Sequence, residues 1–166
     1  MKHNMFCFQC EQTAGCTGCT GRAGVCGKQA DTANLQDALT GALIALARTI
    51  QGKQTVSAKI SKQILDGLFT TVTNVNFNDV TIQQRIDAIH RELPAGTADY
   101  DMKKVWDAQE DIRSLKSLIL FGIRGMAAYA YHAMILGYTD AQLDAFFVKA
   151  LCAVGEDRWG MDELLP

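Results

Sequence analysis

The stretch MFCFQCEQTAGCTGCTGRAGVCGK, residues 5–28, holds five of the six cysteines. These are Cys7, Cys10, Cys16, Cys19 and Cys26; the sixth, Cys152, stands alone. Cys7 and Cys10 form one C-x2-C pair, Cys16 and Cys19 a second, and six residues separate Cys19 from Cys26. Two intervening residues let both sulfurs of a pair turn to one metal or cluster face. Gly15, Gly18, Gly21, Gly24 and Gly27 lie between or beside the thiols. They leave room for backbone to wrap an inorganic core, and amides there can donate to cluster sulfides. Three chemistries compete. Disulfide pairing of five thiols leaves one over, and it needs an oxidising compartment. A four-thiolate zinc site through Cys7, Cys10, Cys16 and Cys19 has two suitable pairs. Only five residues separate those pairs, however, and Cys26 is left out. An iron–sulfur cluster needs four thiolates on a wrapping loop. It fits the stretch best, through Cys7, Cys10, Cys19 and Cys26 or through a set that uses Cys16.

The elements that must carry this loop are helical. From Asp31 the texture changes, and Asp31 or Thr32 is expected to cap a helix with Leu35, Leu39, Ala42, Leu43 and Leu46 on one stripe. Gly52 ends it. A second helix is expected over about 57–71, with Ile60, Ile64, Leu65 and Leu68 inward. A third, over 81–92, is capped by Asn78 or Asp79 and broken by Pro94 and Gly96. A long helix is expected from about Met102 to Gly137, amphipathic first and then apolar all round. That second half implies a buried central helix, with Gly122 and Gly125 admitting a neighbouring backbone. Thr139 or Asp140 caps a further helix, and MDELLP reads as the first turn of another that the chain does not complete. The expected fold is all-α: helical bundles over 31–166, with an N-terminal Cys/Gly-rich cluster-binding loop over 1–30.

Bulk properties exclude several functions. The 166 residues are 48% hydrophobic and 20% charged, with a net charge of −2. No Lys/Arg block marks a nucleic-acid or membrane-surface partner. The apolar run 117–136 approaches the length of a bilayer span, but Arg124 and His132 interrupt it. No apolar leader precedes the cysteines, so the expected location is the cytoplasm, where thiols stay reduced. No nucleotide-binding loop is present, since GCTGRAG lacks the required Lys and spacing.

The remaining polar and aromatic candidates take ordinary readings. His3 lies outside the motif. His90 is expected at a helix C-terminus, where a cation suits the dipole. His132 is expected as a core histidine with a hydrogen-bonded partner. Arg124 must find an acidic partner, face another domain or reach solvent. Glu11 is expected to be solvated, Trp106 and Trp159 to pack, and Cys152 to act as a small core residue. Phe6 and Phe8 flank Cys7 and are expected to shield a cluster from water.

MFCFQCEQTAG and GCTGRAGVCGK, followed by LQDAL, TNVNF and DIRSLKSLILFGIRGMAAYAYHAMILG, resemble the N-terminal region of the hybrid-cluster (prismane) proteins, the hydroxylamine reductases. The resemblance covers nearly the whole chain. It implies that Cys7, Cys10, Cys19 and Cys26 ligate a [4Fe-4S] cluster, or a [2Fe-2S] cluster as in some members, with Cys16 a bystander. The last gap is one residue longer than in the cubane-type members. The family reduces hydroxylamine to ammonia, or nitric oxide, at a hybrid Fe–S–O cluster whose Cys, His and Glu ligands come from later domains. No residues here match those ligands. The resemblance thus implies an electron-transfer domain without turnover of its own, whose partners are the remaining domains and a redox protein. The alternatives are a small zinc-stabilised helical interaction module and a stand-alone ferredoxin-like carrier.

Overall fold

The computed structural model describes residues 5–10, 17–53 and 55–165. His3, Glu11 and Cys16 lie outside them. Among the described residues seven helices follow in order: α1 (Ala30–Ile50), α2 (Ala58–Thr70), α3 (Asp79–His90), α4 (Lys103–Trp106), α5 (Glu110–Ile135), α6 (Ala141–Gly155) and α7 (Met161–Leu164). Among the described residues the only β features are two isolated bridges, Cys7 with Cys19 and Ala23 with Gln29. The fold is all-α.

Local chemistry sets the starts of three helices. Ser57 caps α2, accepting from the Ile60 N–H, and Asn78 caps α3, accepting from the Thr81 N–H. Asp140 caps α6, accepting from the N–H groups of Gln142 and Leu143. Each removes an orphan donor from the first turn. The start of α1 differs from expectation. It begins at Ala30 without a side-chain cap, and Thr32 donates instead to the Asp79 carboxylate at 2.7 Å, tying α1 to α3.

The central helix is α1, not the long apolar helix. Every residue of α1 from Leu39 to Ala47 is buried, and the helix packs against α2, α3 and α6. Gly41 has no room for a side chain: a Cβ there would collide with the carbonyl oxygen of Tyr100, whose N–H donates to Gly41 O at 3.2 Å. The segment before α4 therefore lies directly on α1.

The expected long helix is two helices. Asp107 closes α4, and Gln109, with extended backbone (ψ 146°), opens α5. The break lets Trp106 stay in the core, its indole N–H donating to Asp37 at 3.2 Å, while Glu110 and Asp111 enter the first turn of α5. Acidic residues suit that helix end. No Gly or Pro marks the break. Nor, among the described residues, do other elements surround the second half of α5. It buries one face, with Leu120, Ile123, Arg124 and Ala127, yet Leu118 and Tyr129 are 66% and 83% exposed. Gly122 and Gly125 meet no neighbour among the described residues. By length and composition α5 is long and apolar enough to cross a membrane, and its buried face carries Lys116 and Arg124.

Candidate cysteine-lined cofactor site

Residues 5–10 run extended beside the bundle. Cys7 and Cys19 exchange backbone hydrogen bonds of 3.0 and 2.8 Å, which closes the loop on itself. A tight turn follows, with the Gly24 N–H donating to Lys28 O and the Gly27 N–H to Gly24 O. Gly18 (φ +86°) and Gly27 (φ +85°) hold the left-handed conformations these reversals need. The strand period of two sorts the side chains. Cys7 and Gln9 face one way, and Phe6 and Phe8 face the other.

On the first side lies a cavity of about 570 Å³ whose wall includes Cys7, Cys10, Cys19 and Cys26. The four thiols singled out from the sequence come together there, all of them free. Met5 and Val25 from the loop, and Leu118 and Phe121 from α5, supply its apolar wall. No three His, Cys, Asp or Glu side chains among the described residues converge closely enough to hold one metal ion. The thiols surround a space instead of a point.

Phe6 and Phe8 do not shield this cavity. They pack on Trp106, with ring centroids 5.7 and 6.5 Å away. The alternation that turns Cys7 toward the cavity turns its aromatic neighbours onto the bundle. They anchor the loop, and the shielding falls to residues of α5 far away in sequence.

The electrostatics of the wall are cationic. Lys28, 2% exposed, donates from Nζ to Gln9 Oε1 (2.8 Å) and Gln36 Oε1 (2.6 Å), and lies 3.6 Å from Cys7 Sγ. The Gln36 side-chain amide donates in turn to Asn76 O at 2.9 Å, so its oxygen is turned to Lys28. Thr73 donates to Gln9 O at 2.8 Å, tying the loop to the α2–α3 connection. Arg124 is also buried, its Nε and Nη2 donating to Thr71 and Thr40 hydroxyls at 3.0 and 3.1 Å. Among the described residues neither cation forms an ion pair with a carboxylate.

Burial pushes the Cys7 thiol up, opposed by the Lys28 charge and a hydrogen bond from the Gln9 N–H, with Asp37 pushing it further up. Burial likewise pushes the Asp37 carboxyl up to about 6, against the Trp106 hydrogen bond and the charges of Arg124 and Lys28. Arg124 is pushed down by burial and held up by Asp37 and Cys7. Two buried cations thus act on Cys7, and one reluctant carboxylate, Asp37, interacts with both of them. Four thiolates around an iron–sulfur core make a net anionic group, and buried charge is tolerated where an opposite charge faces it. The donor set, the space and the charge of the wall fit such a group.

Other sequence candidates fall elsewhere. His90 pairs with Asp99 on the surface, at 2.9 Å. His132 is exposed, not a core residue, and contacts Phe69 and Tyr131 edge-on. It lies on the uncovered side of α5, which the all-round apolar pattern could not single out. Arg124 neither meets a carboxylate directly nor reaches solvent; two threonine hydroxyls hold it. Cys152 is buried in the core, as expected, and Trp106 packs there too. Trp159 is 37% exposed. Sequence reasoning missed Lys28, Gln9, Gln36 and Asp37. Lys28 and Gln9 stand inside the cysteine motif itself, the one signal that marked them.

A family model, the Prismane/CO dehydrogenase family, matches residues 5–165. The chain is 37% identical to a hydroxylamine reductase of Desulfitobacterium hafniense, covering 98% of this chain and 35% of that protein. It is 37% identical to one of Methanosarcina mazei, covering 97% and 35%, and 38% identical to one of Porphyromonas gingivalis, covering 99% and 36%. The chain therefore spans about a third of the length of these relatives. The first alignment runs over 205 positions, more than the chain's 166 residues, so that relative carries residues within the shared region that this chain lacks. With the match running from the cysteine loop to the last helix, the chain belongs to the Prismane/CO dehydrogenase family.

Proposed function

We propose that Cys7, Cys10, Cys19 and Cys26 hold an iron–sulfur cluster, [4Fe-4S] in preference to [2Fe-2S], and that the chain is an electron-transfer unit of a hydroxylamine reductase. The observation that carries this is the shared cavity: four thiols separated by up to 18 residues of sequence line one space, with the buried cations Lys28 and Arg124 acting on Cys7. The cluster supplies one-electron redox chemistry. The chain's own residues do the rest. The Cys7–Cys19 backbone pair sets two thiols side by side. Phe6 and Phe8 anchor the loop on Trp106, and Leu118 and Phe121 limit water at the cavity wall. Lys28 and the Gln9 amide favour the Cys7 thiolate that metal binding requires.

In this reading the substrate is reduced elsewhere. No residues here match the Cys, His and Glu set of the hybrid Fe–S–O cluster, so reduction of hydroxylamine or nitric oxide belongs to the remaining domains, and electrons arrive from a redox protein in the cytoplasm. Neither nucleic acid nor a membrane is a partner.

Anaerobic reconstitution tests the proposal. Iron and acid-labile sulfide should load in equal amounts and give a brown chain with no hydroxylamine turnover. Serine at Cys7, Cys10, Cys19 or Cys26 should abolish loading, while Cys16→Ser should leave it intact. A colourless chain with one zinc and no sulfide would establish the zinc module instead. Full loading of Cys26→Ser would remove that residue from the ligand set.

A further inference from the structure

Lys28 is an unusual residue. Its ammonium lies inside the protein, fixed by two glutamine oxygens and directed at the sulfur of Cys7. The Gln36 amide is itself held through Asn76 O, and the Gln9 backbone is anchored by Thr73, which donates to its carbonyl. Phe77 lies beneath the ammonium, its ring centroid 5.8 Å away. The side chain thus has little freedom to swing out to water. A neutral amide satisfies the N–H donors of a lysine without cancelling its charge. The net positive charge is therefore delivered to the cavity wall, and a buried charge is poorly screened by salt.

We propose that Lys28 is a positioning residue for charge, a fixed internal counter-cation that raises the reduction potential of the cluster bound at Cys7. This rests on the cluster reading above. Adding an electron makes the group more negative, so a cation in contact with one of its sulfurs stabilises the reduced form more than the oxidised form. The electron enters the cluster and no bond forms or breaks at Lys28. Gln9 and Gln36 matter because a carboxylate in either place would neutralise the same charge.

The test is an anaerobic redox titration of the reconstituted chain, followed by EPR and visible absorbance, at low and high salt. Lys28→Met keeps the apolar stem and removes the charge. At a fixed ambient potential its ratio of reduced to oxidised cluster should fall at least about tenfold, which is about 59 mV for one electron. The fall should be the same at both salt concentrations, and Lys28→Arg should recover most of it. Gln9→Glu leaves Lys28 in place and should lower the ratio in the same direction; it also decides the matter if Lys28→Met fails to load. A fully loaded Lys28→Met, or in its place Gln9→Glu, with the wild-type potential would overturn the role of Lys28 and leave the cluster intact. A wild-type chain that takes up no iron and sulfide would overturn the cluster reading, and this inference with it.

Discussion

Asp37 offers a quantitative test of how the interior behind the cysteines is built. Its carboxyl is raised from 3.8 to about 6, chiefly by burial, although Trp106 donates to it and two cations lie near. That rise corresponds to a ceiling of about 3 kcal/mol against the ionised form in the folded chain. The sign follows from proton linkage. Below about pH 4 the group is protonated folded and unfolded, and it contributes nothing. Above about pH 6 it is ionised in both states, and the whole penalty applies. Between these values the folded chain binds more protons than the unfolded one, so stability falls as pH rises. Asp37→Asn keeps an acceptor for the Trp106 indole and removes the charge. Urea unfolding of the metal-free chain, followed by far-UV circular dichroism in steps from about pH 4 to about pH 8, reads the difference directly. The two proteins should be equally stable at the acid end. The asparagine variant should then gain steadily, by as much as about 3 kcal/mol near neutrality. A gap that stays constant with pH would show that Asp37 is not shifted in the folded chain. A variant less stable than wild type at neutral pH would show that attraction to Arg124 and Lys28 outweighs burial, reversing the reasoning.

Three further outcomes are expected. Gly41→Ala drives a methyl into the Tyr100 carbonyl and should cost about 2 kcal/mol in urea unfolding, because backbone on both sides must move. Thr40→Val removes the acceptor of Arg124 Nη2 inside the bundle and should cost about 1–3 kcal/mol in the same assay, the penalty for an unpaired buried donor. Cys152→Ser places a hydroxyl among the apolar side chains of the core; it should lower the unfolding free energy by about 1–2 kcal/mol and leave iron stoichiometry unchanged.

The exposed side of α5 bears on how this chain meets its surroundings. Leu118 and Phe121 belong both to that face and to the wall of the cysteine cavity. Covering that face and limiting water around the thiols are therefore physically linked.

Much of this protein follows from order along the chain. The caps at Asn78 and Asp140, the stop at Gly52 and the stripe Leu39, Leu43, Leu46 are local or periodic features. Each acts within a turn or two of its own helix, so spacing alone reveals them. The cysteine motif was visible for the same reason, since thiols at short intervals among glycines are a local feature, but spacing alone left open which four act together. Tertiary structure decided the rest. The break between α4 and α5 arises because Trp106 must meet Phe6, Phe8 and Asp37, three residues distant in sequence. Periodicity measured α5 as apolar all round, but it could not say which side has a neighbour; that depends on α2 and α6 arriving at one face alone. The charge behind the thiols was likewise invisible, because a lysine's spacing does not tell whether its ammonium meets water or is locked between Gln9 and Gln36. Helix ends are governed by bonds of short sequence range, whereas burial, and with it the shifts at Cys7, Asp37 and Arg124, is created only when distant segments close over the same atoms.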